Sequence, residues 1–138
     1  MQFGIFTVGD ITTDPATGKA PSEHQRIKNT VEMAVLAEQA GLDFFATGEH
    51  HNPPFAPSSP TTLLANIAAR TDKLLLTTAT TLITTNDPVR LAEEYAYLQH
   101  LAEAFSSTRK SVKLSKLSAL STATSPTLEN AVDRKSVV

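Results

Sequence analysis

Three times in the first hundred residues a short apolar run gives way to a segment of helical periodicity, and this alternation constrains the fold more than anything else in the chain. The runs near 2–8 (Phe3, Ile5, Phe6, Val8), 42–47 (Leu42, Phe44, Phe45, Ala46) and 73–80 (Leu74, Leu75, Leu76) predict strands, being apolar, short and bounded by turn residues. Helices are predicted near 23–40, 60–71 and 88–102. Ile27, Val31, Ala34 and Val35 share a face of the first, Leu63, Leu64, Ile67 and Ala68 of the second, and Leu91, Tyr95, Leu98 and Ala102 of the third. Each helix has a start signal. Ser22 and Gln25 fit a reciprocal capping box, and Ser59-Pro60 and Asp87-Pro88 put proline at the first helical position. Gly41 is placed to turn left-handed just past the first helix. The order β-α-β-α-β-α predicts parallel neighbours joined by right-handed crossovers. Units of about 30 to 40 residues match a (β/α)₈ barrel as well as an open doubly wound sheet. No G-x-G-x-x-G follows the first strand, which disfavours the dinucleotide-binding version of the open sheet.

In parallel α/β proteins ligands bind at the carboxyl ends of the strands. There the second predicted strand runs into Thr47-Gly48-Glu49-His50-His51-Asn52-Pro53-Pro54, the densest chemistry in the chain. A solvated polar loop is the plain alternative. A metal-dependent hydrolase barrel with Glu49, His50 and His51 as ligands is a second reading. It is weakened because adjacent residues of an extended segment point to opposite sides and because no His-x-His pair follows the first strand. His24, in the first turn of its helix, reads as solvated. The long Gly9–Pro21 stretch is turn chemistry, a surface loop or a substrate-side loop.

Charge narrows the partners. A net charge of −2 with 41% apolar residues gives no footprint for nucleic acid or a membrane surface. No apolar run approaches the roughly 20 residues that span a bilayer, and the start lacks a basic n-region, so the expected compartment is the cytoplasm. There is no cysteine, hence no disulfide framework and no thiolate metal site. Beyond residue 102 the chain turns rich in Ser, Thr and Lys, with a weak leucine repeat at Leu114, Leu117 and Leu120. That composition predicts a disordered or loosely helical tail over 103–138.

The start Met1-Gln2-Phe3-Gly4-Ile5-Phe6, the run Ala46 to Phe55, Pro57-Ser58-Ser59-Pro60-Thr61-Thr62 and Thr78 to Arg90 resemble the luciferase-like, flavin-dependent monooxygenases, closest to an FMN-using bacterial branch. The likeness continues through Tyr95 and Leu98 to Ala102 and then stops. Glu103-Ala104-Phe105-Ser106-Ser107 is expected to mark a frame change or a misjoined coding sequence, a natural truncated paralogue being the alternative. The implied fold is the first three β-α units of a TIM (β/α)₈ barrel, truncated, over 1–102. In a truncated sheet Ile5, Phe44, Ala46 and Leu76 are candidates for the face that further strands would cover, according to which alternate set points inward.

The resemblance implies oxidation of a small organic substrate with reduced FMN and O₂. It also implies a homo-oligomeric parent protein supplied by a flavin reductase. The cofactor carries the redox step and the protein supplies position and a proton-transfer group. Histidine suits that task near neutral pH. By the luciferase pattern the first histidine, His50, is the catalytic one. Glu49 is expected to orient or charge-balance it; packing is an equal reading for His51, and a purely structural loop histidine is the competing reading for His50. A non-proline cis peptide under the flavin is implied at Ala79–Thr80, with Phe6 a wall of the same cavity or a core residue. No phosphate cradle is visible within 1–102. The truncated chain by itself is expected to be inactive, and a non-catalytic truncated product is the third reading.

Overall fold

The computed structural model describes residues 1–104. Its elements are β1 (Gly4–Thr7), α1 (Glu23–Gln39), β2 (Phe44–Thr47), α2 (Pro60–Ala68), β3 (Leu75–Thr78) and α3 (Pro88–Ala104). The expected tail over 103–138 lies outside the described residues, apart from the last turn of α3. The strands form one parallel sheet in the order β1-β2-β3.

Register decides which side chains share a face, because strand side chains alternate. Ile5, Phe45 and Leu76 stand in one row, and Phe6, Ala46 and Thr77 in the next. The first row faces the helices: Phe45 and Leu76 are buried with Val31, Ala34, Leu64, Ile67 and Leu98, and Ile5 packs against that cluster. Complete burial of a side chain such as Phe45 contributes about 1.5–3 kcal/mol, and Phe45 has no exposed surface at all. Ile5 and Leu76 therefore belong to the helix-covered set. The opposite face carries Phe44 and Ala46 with Phe6, Leu75 and Thr77. Phe6 is 52% exposed, so it is not a core residue.

The ends of α1 follow from its sequence with one change. The Ser22 hydroxyl accepts from the Gln25 amide at 3.2 Å, but the Gln25 side chain turns forward to Asn29 (2.7 Å) instead of back to the cap. At the other end Gly41 adopts φ +80°. Its amide and that of Leu42 reach the carbonyls of Glu38 and Ala37, which closes the helix with a Schellman motif. In α2 the Ser59 hydroxyl pairs with Thr62 Oγ1 at 2.8 Å and caps no amide. Asp87 does cap α3, accepting from the Arg90 amide at 2.9 Å.

α2 also ends at Ala68, short of the expected residue 71. The cause lies on α1. The Glu38 carboxylate accepts from the amides of Asp72, Lys73 and Leu74, drawing the chain out of the helix and into β3. This tie sits at the amino-terminal edge of the sheet, away from the functional edge. Among the described residues no helix is long and apolar enough to cross a membrane.

Candidate functional site

At the carboxyl edge, the strand ladder runs straight into the loops. The Gly48 amide donates to the Thr7 carbonyl (2.9 Å) and the Ala79 amide to the Thr47 carbonyl (2.9 Å). The Ala79–Thr80 peptide is cis, at the position the resemblance implied, and Pro53–Pro54 is cis as well. Ala79 and Thr80 are exposed.

The two histidines are treated differently by their surroundings. His51 Nε2 lies 2.9 Å from Glu49 Oε1. His50 is half-buried and stacked on Phe55, with ring centroids 4.2 Å apart and planes at 22°. Among the described residues no hydrogen bond reaches either nitrogen of His50. The expectation that Glu49 orients His50 is thus replaced by a pair between Glu49 and His51. The backbone alternates here, so positions 49 and 51 share a side and position 50 points away.

Glu49 is 5% exposed, and its carboxylate is fully occupied. Besides His51 it accepts from the Leu82 amide at 2.8 Å and from Asn86 Nδ2 at 3.2 Å. It therefore joins the β2–α2 loop to the β3–α3 loop. Below it Thr78, Thr81 and Tyr95 form a buried triangle of hydroxyls, with separations of 2.8, 2.6 and 2.9 Å. Burial pushes the Tyr95 phenol above its ordinary value, against the lowering effect of the two threonine hydrogen bonds.

The β1–α1 loop is tied into the same edge. Asp10 forms an isolated antiparallel bridge with Phe55. The Ile11 amide donates to Pro54 (2.7 Å) and the Ala56 amide to Gly9 (3.0 Å). Gly9 has φ +63°, and a Cβ there would run into the Pro57 ring, so only glycine allows both the turn and this approach. Arg26 Nη2 holds Asp10 Oδ1 at 3.1 Å. Further out, Asp14 accepts from the Ala16 amide and the Thr17 hydroxyl, which holds its carboxyl below the usual value. The loop read from sequence as a surface loop or a substrate-side loop is in this way pinned to the β2–α2 loop and to α1.

Among the described residues no three donors of the His, Cys, Asp or Glu type converge as a metal site. The hydrolase reading has no ligand set here. Grooves of about 620 and 530 Å³ lie between α1 and α2, reaching the loop at Ala56, Pro57 and Ser58, and along one flank of α1. Sequence reading missed Phe55, Asn86 and the hydroxyl triangle as parts of this edge. Positions 50 and 55 lie in an irregular loop, where no periodicity links them. The hydroxyl triangle needs the register between β3 and α3, which only the fold supplies.

Known proteins resemble this chain in sequence and fold. The family model for luciferase-like monooxygenases matches residues 1–103. The N-acetyl-S-alkylcysteine monooxygenase of Bacillus subtilis (strain 168) is 31% identical over 86 residues, covering 62% of this chain and 26% of that protein. The crystal structure of the monooxygenase RslO1 from Streptomyces bottropensis superposes with a TM-score of 0.64 at 30% identity, over 81% of this chain and 32% of that one. The oxygenating component of 3,6-diketocamphane monooxygenase from Pseudomonas putida, solved with FMN, gives a TM-score of 0.66 at 17% identity, over 98% and 37%. The chain thus spans about a third or less of the length of the relatives it matches. With three parallel β-α units and the family match running from residue 1 to residue 103, in the last turn of α3, the chain belongs to the luciferase-like monooxygenases, as a portion of their barrel.

Proposed function

We propose that residues 1–102 are the amino-terminal part of an FMN-dependent monooxygenase in which His50 moves the proton. The observation that carries this reading is the contrast between the two histidines. His51 is committed to Glu49, whereas His50 stands at the carboxyl edge of β2 with both ring nitrogens free among the described residues. A proton-transfer group needs a nitrogen open to its partner.

The residues of this edge fit the ring of a flavin. Ala79 and Thr80 are small and exposed, and Phe6 offers an exposed aromatic face beside the buried Ala46 in the same row. Ala79, Thr80 and Phe6 would hold the flat ring. Glu49 would act at one remove, fixing the β3–α3 loop through Leu82 and Asn86. Arg26, Arg70 and Arg90 are engaged by Asp10, Glu32 and Glu94, so we assign the phosphate contact to parts of the barrel outside residues 1–104. When bound, reduced FMN supplies two electrons, so that one atom of O₂ enters the substrate and the other leaves as water. The substrate is a small organic molecule. The parent protein would be a cytoplasmic homo-oligomer supplied with reduced FMN by a flavin reductase.

The test uses a full-length barrel protein carrying residues 1–102. His50→Ala is expected to lower turnover by about 10²–10⁴-fold, with reduced-FMN binding and circular dichroism retained, and His51→Ala to lose less. Turnover of His50→Ala equal to the unsubstituted protein would remove His50 from the mechanism. Loss of fold in His50→Ala would make it a structural residue.

A further inference from the structure

We propose that Phe55 is the positioning residue of His50: it sets the plane of the imidazole, and the β1–α1 loop in turn sets Phe55. The functional weight of this inference rests on the reading of His50 given above; its structural content does not.

An imidazole in a site is ordinarily oriented by a hydrogen bond to one of its nitrogens. His50 has none among the described residues, where its orientation rests on ring and van der Waals contacts. One contact is the Phe55 ring, stacked at 4.2 Å. Gly48 lies close by, since a Cβ added there would sit 3.6 Å from both Cδ2 and Nε2 of His50. Offset stacking fixes a plane and leaves the nitrogens at the ring edge open. A side chain that must exchange protons is thereby held without blocking the exchanging atom.

Phe55 is itself not free to drift. Its amide donates to the Asn52 carbonyl (3.2 Å), and on both sides of it the loop is paired to the β1–α1 loop, through Ile11 to Pro54 and through Ala56 to Gly9. Asp10, its bridge partner, is held by Arg26 and by the Thr12 hydroxyl at 3.1 Å. A line of support runs from α1 through Arg26 and Asp10 to Phe55 and ends on His50. Arg26, Asp10 and Phe55 themselves need not touch substrate or cofactor.

The experiment compares a full-length barrel protein carrying residues 1–102 with its Phe55→Leu and Phe55→Tyr variants, each labelled at histidine and read by NMR, and His50→Gln assigns the signal. The His50 ring protons are expected upfield in the unsubstituted chain and in Phe55→Tyr, and the upfield shift is lost in Phe55→Leu. Equal His50 shifts in all three chains overturn the proposal. Loss of amide dispersion throughout Phe55→Leu also overturns it, by assigning Phe55 to the fold at large. In the same protein, Phe55→Leu is then expected to lower kcat by up to about a hundredfold with KM unchanged, and Phe55→Tyr to restore it. An unchanged kcat in Phe55→Leu, where His50→Ala abolishes turnover, defeats the positioning role. An unchanged kcat in both defeats the assignment of His50 and leaves the stacking result standing.

Discussion

Tyr95 shows how a single residue can couple a helix to the functional edge. Its hydroxyl is buried and shared with Thr78 on β3 and Thr81 in the loop beyond it, so α3 is tied to the segment that contains Ala79 and Thr80. Tyr95→Phe keeps the ring and leaves Thr78 and Thr81 bonded to each other, so the expected cost is about 1 kcal/mol, read by chemical denaturation. The pH dependence has a definite sign. Burial raises the phenol above its ordinary value of 10.0 in the folded chain. Its contribution is therefore complete below that value and is lost as the pH rises through the folded one. Tyr95→Phe should flatten the alkaline limb of the stability curve, and an unchanged alkaline limb would count against this assignment. At this scale the sequence was only partly legible. Glu-His-His marked a candidate site, but the alternation that pairs Glu49 with His51 holds only where the chain stays extended past β2, and the loop's sequence does not fix that.

The elements themselves were largely legible, because their signals are local. Asp87 with Pro88 fixes the start of α3, and Gly41 fixes the end of α1, in each case through backbone groups within a few residues. What the sequence hid was long-range. The early end of α2 depends on Glu38, whose carboxylate meets amides more than thirty residues away. Glu38→Ala would leave the Asp72, Lys73 and Leu74 amides without this acceptor, costing about 1–2 kcal/mol. Glu38→Gln, which keeps one oxygen, should cost less. Amide hydrogen exchange at Leu74 checks this directly, and unchanged protection in Glu38→Ala would show that the turn stands without it. Gly41→Ala isolates the backbone contribution, since a methyl there meets nothing within 4 Å. The left-handed conformation alone should then cost about 1–2 kcal/mol, measured by thermal unfolding.

For the molecule as a whole, the sheet has two outer strands and, among the described residues, nothing pairs with the outer edge of β1 or β3. Unpaired edges recruit other chains, and Phe3, Phe6 and Leu36 add exposed apolar surface near one of them. The purified 138-residue chain is expected to self-associate and to lose FMN on gel filtration; a monodisperse monomer that elutes with yellow flavin would contradict this. The loop pairing at the opposite end has a bearing on engineering. Residues 9–11 and 54–56 hold one another by backbone bonds although more than forty positions separate them. A recombination crossover placed anywhere between Asp10 and Phe55 would take its two halves from different parents and mismatch the strip beneath His50. A library that varies residues 10–12 would meanwhile be selecting, unseen, on the tilt of an imidazole in another loop.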